Sequence, residues 1–394
     1  MRKISLSLTL LAVTGLFVGA CSNDDDKGAE PQGTSKAAVI ENYADIVAAN
    51  YQAALTDAQE LETAINAFTA NPTDAGFDEA RKKWKDARES YGTTEAFRFA
   101  NGPIDDENGP EGLLNAWPLD ESFIDYTDNS GDLYNGGIIN NPEIYPSITK
   151  DLLIELNESA DEKSISVGYH AIEFLLWGQD LTDPSANQPG QREYTDFVDN
   201  GTHDNQARRR QYLSICADLL TDHLTYLVDL WKEGGSYRAT FLALDEDTAL
   251  QNILLGITTL AQAELAIERM DVALGNANQE DEHSCFSDNT HRDIALNLQG
   301  VINVYEGKYG NIDGPSIADL VQESNSPFYD DTEDAIEAAQ SAVAAIATPF
   351  DYAISGGPDS PEGAKVKTAV TRLQTLGANF IAGASAIGIA VNPE

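Results

Sequence analysis

From Ala37 onward, apolar residues recur at spacings of three and four, the period of a helix with one buried face. The pattern predicts a long helix over 37–70, through Val39, Ile40, Tyr43, Val47, Tyr51, Leu61 and Phe68, stopped by Asn71-Pro72. A second is predicted over 75–99, with Phe77, Trp84, Tyr91 and Phe97 on its stripe and Glu95 late among the aromatics. Pro103, Gly109, Pro110 and Pro118 then cut the chain into short pieces, and 131–146 reads as loop. Further helices are predicted at 147–156, 164–177, 204–231 with Asp204 as its cap, 247–275, 291–305, 331–347 and 361–389. No stretch sustains the alternation of strands with hairpin turns. The expected fold is all-α. The chain is long for one helical core, so two helical-bundle domains are expected, over 37–200 and 201–394.

The segment 164–177 departs from the amphipathic rule. Val167, Tyr169, Ala171, Ile172, Phe174, Leu175, Leu176 and Trp177 leave it almost no polar side, which marks a buried helix. Yet it carries His170 and Glu173, three apart and hence on one face. An imidazole and a carboxylate inside a packed domain each need a partner. Such a pair can ligate one metal ion or can be a packing pair with no further role; spacing alone favours packing.

The first twenty residues read as an export signal: Arg2 and Lys3, then a mostly apolar run from Ile4 to Val18, too short to span a bilayer. Val18-Gly19-Ala20-Cys21 looks like a bacterial lipobox, which makes Cys21 the lipidated first residue and the membrane a partner. Residues 21–36, with Asp24, Asp25, Asp26 and several Gly, Pro and Ser, read as a disordered acidic tether. The run of acids behind the lipid site resembles the surface-export signal of some Gram-negative lipoproteins, so the outer membrane of a Gram-negative envelope is the expected location.

Charge narrows the partners. Lys and Arg number 24 against 65 Asp and Glu, a formal net charge of −41. Such a surface repels nucleic acid and concentrates cations. Beyond Cys21, Cys216 and Cys285 remain, and in an oxidising compartment two readings stay open, a disulfide or two separate buried thiols.

Standard catalytic signatures are missing: no His-Glu-x-x-His, no Gly-x-Ser-x-Gly, no phosphate loop and no dinucleotide fingerprint. The remaining polar concentration is 281–291, where His283 and His291 bracket several oxygen donors, Asp288 among them. Ser287 or Asp288 also suits an ordinary helix cap. His203 and His223 receive no role.

Gly168-x-His170-x-x-Glu173 matches the GxHxxE motif of the imelysin-like proteins, named after a bacterial insulin-cleaving membrane protease. The blocks 94–99, 115–120, 190–197 and 283–291 also look like family blocks, and together they spread over nearly the whole mature chain. The resemblance implies two helical bundles with a pocket between them and an envelope location tied to iron acquisition. It carries over Gly168, His170 and Glu173, followed by Glu95, Arg98, Arg192, His283 and Asp288. The metal set so expected is His170, Glu173, Glu95, His283 and Asp288, holding a divalent or trivalent ion such as iron or zinc. Arg98 or Arg192 would orient Glu95 or hold a carboxylate-bearing chelate. The family is classed with metallopeptidases, but a hydrolytic zinc needs three protein ligands, an open position and a base, and no complete set is identifiable. The leading expectation is a lipid-anchored protein that binds iron or another cation and works with envelope proteins of iron uptake. A metallopeptidase, or a structural or docking protein with a buried His–Glu pair, are the alternatives.

Overall fold

The computed structural model describes residues 33–129 and 131–393. The expected signal peptide, Cys21 and most of the tether lie outside the described residues. Helix α1 (Lys36–Ala70) starts where the Ser35 hydroxyl accepts the Ala38 N–H, and Thr34 is tied to Glu323 through its N–H and hydroxyl. Asn71 and Pro72 end it, and Thr73 caps α2 (Asp74–Thr94), which runs back along α1. Phe77, Ala80, Trp84, Ala87 and Tyr91 form its buried stripe, and a short 3-10 turn, Glu95–Phe97, closes it.

Helix α3 (Gly168–Trp177) is buried at all ten positions, as its composition requires. It begins later than the sequence suggests, because Gly168 sits at φ +89° and residues 164–167 are non-helical. A side chain there would be strained, and its Cβ would stand 2.7 Å from the Leu114 carbonyl oxygen. That close approach explains the motif glycine. Helix α4 (Gln206–Trp231) packs on α1 and α3. Asp204 is not its cap, correcting the expectation: Asn205 precedes the helix in a left-handed conformation with no capping side-chain bond.

Helix α5 (Glu246–Thr259), capped by Asp245, continues as a π-helical stretch, Leu260–Asp271, and ends with Val272–Asn276. This continuous segment is long and apolar enough to cross a membrane, but more than half of its apolar window, 56%, is buried inside the fold, as in a core helix. Helices α6 (Thr290–Glu306), α7 (Phe328–Ala344) and α8 (Gly363–Ala386) complete the longer elements. Two short hairpins, Thr127–Asn129 with Asp132–Tyr134 and Lys308–Tyr309 with Ile312–Asp313, are the β-structure among the described residues.

The first four helices pack mainly on one another, and α8 packs on α7 and the π-helical stretch. Packing does not stop near residue 200, however. Helix α2 lies against α6 and α1 against α5, one continuous core joins both sets, and the chain from Thr34 onward forms one compact unit. Cys216 and Cys285 are separate buried free thiols, which closes the disulfide reading; Cys216 Sγ lies 3.6 Å from the Ser166 carbonyl oxygen.

Candidate functional site

The motif pair meets as the helix period requires. His170 Nδ1 lies 2.9 Å from Glu173 Oε2, with both side chains buried. The other carboxyl oxygen, Oε1, accepts the Ser287 N–H at 3.0 Å and its hydroxyl at 2.7 Å. Glu173 therefore spends both oxygens inside the protein, joining α3 to the loop before α6. Burial raises its carboxyl to about 8, with the Ser287 bonds acting in opposition. Burial and the nearby Arg88 guanidinium push the His170 imidazole down to about 3. His170 Nε2 makes no hydrogen bond, and the His283 ring stands edge-on at a centroid distance of 4.5 Å.

His283 repeats the arrangement. Its Nδ1 lies 2.9 Å from Asp293 Oδ2, which also accepts the Ser284 hydroxyl at 2.5 Å, while Oδ1 takes Arg88 Nη2 at 3.1 Å. Burial, Arg269 and His170 push the His283 ring down to about 3. Despite burial, Arg88 and His283 hold the Asp293 carboxyl far below the usual carboxylate range. In both units the carboxylate sits between a serine hydroxyl and an imidazole. A base that activates a serine must itself contact the hydroxyl; here each hydroxyl donates to a carboxylate, so neither imidazole is aligned to take its proton.

A buried charge network extends from this pair. Arg88 Nη1 donates to Asn115 Oδ1 at 2.5 Å, Asn115 donates to Glu95 Oε1 at 3.3 Å, and Arg269 Nη2 holds Glu95 Oε2 at 2.6 Å. Arg269 also reaches Asn297 at 2.6 Å and Glu264 at 3.0 Å. The π-helical turns put Glu264 and Arg269, five residues apart, on one face, a spacing that an α-helix would splay. Burial would raise Glu95, but Arg269 and Arg98 hold its carboxyl below the ordinary value.

These contacts redistribute the expected metal set. Glu95 is paired with Arg269, and Glu173 spends one oxygen on His170 and the other on Ser287. The role expected of Arg98 or Arg192 at Glu95 falls mainly to Arg269. Arg98 pairs with Glu111 and Glu264, both at 3.3 Å. Arg192 lies in another ion cluster, bonded to Asp125 at 2.6 Å, with Arg209 on the same carboxylate and Asp196 at 3.5 Å. His203, given no role, bonds Asp196 at 2.9 Å and stacks on Tyr126.

Asp288 goes elsewhere. Its carboxylate converges with those of Asp180 and Asp351, the donor oxygens all within 4.8 Å of one another. This is the one group of at least three metal-ligating side chains so placed among the described residues. Sequence reasoning missed Asp180, Asp351, Arg88, Arg269 and Asp293. Arg88, Arg269 and Asp293 carried a readable signal, a charge at a core position of a helical stripe, as Arg88 shows between Trp84 and Tyr91. Asp180 and Asp351 carried none, since one is in a loop and the other on a five-residue helix.

The chain is 25% identical over 387 residues to iron-regulated protein A of Synechococcus elongatus, an alignment spanning 95% of this chain and 90% of that protein. A crystal structure of an iron-regulated protein A precursor from Parabacteroides distasonis superposes with a TM-score of 0.68 at 18% identity, over 92% of this chain and 97% of that one, and so shares the fold. Residues 47–380 match the family model described as imelysin, peptidase M75. The chain belongs to the imelysin family.

Proposed function

We propose that the protein is a lipid-anchored envelope protein of iron uptake that binds a metal cation and does not cleave peptides, with the His170–Glu173 pair serving as an internal clamp. The observation that carries this reading is the use of both Glu173 oxygens, one on His170 and one on Ser287. A carboxylate so committed neither activates water nor adds to a zinc ligand set. The similarity to an iron-regulated protein supports the link to iron, and the strongly acidic composition suits a cation-gathering surface. Cys21 would supply the membrane anchor, facing the periplasm or the surface from the outer membrane, and other envelope proteins of iron uptake would be the partners.

The test has two arms. Purified mature protein is incubated with a denatured protein substrate, with and without a chelator, after loading with iron, zinc or manganese. In parallel, a strain lacking the gene is grown across a series of iron concentrations. The reading expects no chelator-sensitive cleavage and a growth defect confined to low iron. Cleavage abolished by chelator and by Glu173→Gln would instead establish the peptidase, and growth independent of iron would remove the uptake role.

A further inference from the structure

We propose that Asp180, Asp288 and Asp351 form a binding site for a hard, oxygen-seeking metal cation at the floor of an acidic cleft, with Glu173 positioning Asp288 through Ser287. The proposal rests on the metal-binding reading above and gives it a site distinct from His170 and His283.

The three carboxylates come from the loop after α3, the loop before α6 and the short helix Phe350–Ile354. Their mutual spacing, within 4.8 Å, is about twice a calcium–oxygen bond of roughly 2.4 Å, so one ion fits between them. All three are more than nine-tenths buried, with Asp180 at 3%, Asp288 at 8% and Asp351 at 1% exposure. Burial of carboxylates ordinarily demands hydrogen bonds. Here Asp180 Oδ2, Asp288 Oδ1 and both Asp351 oxygens have none among the described residues, whereas Asp180 Oδ1 takes the Thr182 N–H at 3.0 Å.

A separate side chain points the same way. Glu282 is fully buried, and neither of its oxygens makes a hydrogen bond of normal geometry. Burial and then the negative charge of Asp351 push its carboxyl well above the ordinary value, the Thr290 hydroxyl opposes them, and Asp288 adds to the rise, so Glu282 is a further buried acid in the field of the same carboxylates. Lys85 is the basic group bearing on Asp288, whereas the other charged neighbours of the three, Asp183 and Glu173 among them, are acids. Among the described residues no arginine plays the part that Arg88 and Arg269 play in the network next to it. A cleft of about 630 Å³ opens over Asp180 and Asp351, with Asp183 and Glu280 on its wall.

The donor atoms are carboxylate oxygens alone, with neither imidazole nor thiolate. That chemistry selects hard cations such as manganese, calcium or iron over metals that prefer nitrogen and sulfur. Asp288 reaches the site because its backbone takes a left-handed turn, φ +56°. Its neighbour Ser287 is held by Glu173 on one side, and the Asp288 carbonyl oxygen lies 3.1 Å from His291 Nδ1 on the other. Glu173 is thus a positioning residue for the site and does not ligate.

The experiment uses the mature chain stripped of metal and titrated separately with Mn²⁺, Ca²⁺, anaerobic Fe²⁺ and, for comparison, Zn²⁺. Calorimetry, metal content after dialysis and melting temperature are the readouts. One hard cation should bind per chain and raise the melting temperature, with Zn²⁺ weaker. Asp180→Asn and Asp351→Asn should each weaken binding tenfold or more, while the metal-free Asp351→Asn protein melts no lower than the wild type. Glu173→Ala should weaken binding similarly, and Glu173→Gln, which keeps an oxygen for Ser287, should restore most of it. Unchanged affinity in both aspartate variants would overturn the site while leaving a metal-binding protein in place. A wild type that takes up no hard cation would overturn the site and metal binding together, and tighter binding of Zn²⁺ than of Mn²⁺ would overturn the oxygen-only donor set. The growth and cleavage assays fail independently of any of these results.

Discussion

Two polar regions share the loop before α6 and treat charge in opposite ways. On one side, Asp293 and His283 belong to a network in which each carboxylate has a guanidinium, an imidazole or a hydroxyl to answer it. On the other, beginning at Asp288, carboxylates gather with most of their oxygens unanswered. The first region is neutral by internal pairing and has little use for another cation; the guanidiniums of Arg88 and Arg269 disfavour protonation of His170 and His283 and oppose a metal ion for the same reason. The second sets Lys85 against several gathered acids and is left with negative charge that an added cation would balance. On the proposed reading His170 and His283 are the less suited of the two groups to a metal, and the His170–Glu173 pair fastens the loop that carries Asp288 through Ser287.

The sharpest way to break this contrast is to remove one charge from the paired side. Arg88→Met orphans Asp293 and Asn115 together, and a loss of about 3–5 kcal/mol is expected in denaturant unfolding, the usual cost of breaking a buried pair from one side. Glu173→Ala leaves the His170 ring and the Ser287 N–H and hydroxyl without their acceptor, and about 3 kcal/mol should be lost by the same assay. Gly168→Ala forces a side chain into a positive-φ position against the Leu114 carbonyl, at a cost of about 2 kcal/mol. A loss below 0.5 kcal/mol would mean that α3 can re-enter the bundle at another angle.

Two smaller effects sharpen the comparison by their sign. His170 and His283 titrate near 3 when folded and near 6.5 when unfolded, so between those values the unfolded chain binds more protons. Their contribution to stability therefore rises with pH from about 3 to about 6.5 and is lost on acidification. His283→Gln should flatten that slope by about one proton, measured as stability against pH across the window. Asp351→Asn acts in the other direction: it relieves repulsion among unpaired acids, and the metal-free protein should gain about 1 kcal/mol. Equal losses for Arg88→Met and Asp351→Asn would erase the distinction between the two regions.

The helices were legible because each keeps one apolar stripe for its whole length, and 164–177 betrayed its burial by having no other face. The His170–Glu173 contact was legible for the same reason, since helix geometry alone brings positions three apart together. What lies opposite a helix is set by tertiary packing, so nothing local announced that Glu173 would meet Ser287 from a loop more than a hundred residues on. The gathering of Asp180, Asp288 and Asp351 was hidden more deeply, since none belongs to a periodic stripe and loops and a short helix bring them together. Asp288 entered the expected metal set on family resemblance, beside His170, Glu173, Glu95 and His283, whereas the fold places it beside Asp180 and Asp351.

Whether a cation belongs to the carboxylates or to His170 and His283 is decided by anomalous diffraction from crystals of the mature protein soaked in Mn²⁺. One strong anomalous peak is expected among Asp180, Asp288 and Asp351, with His170 and His283 bare. A peak on His170 Nε2 with the aspartates empty would contradict it.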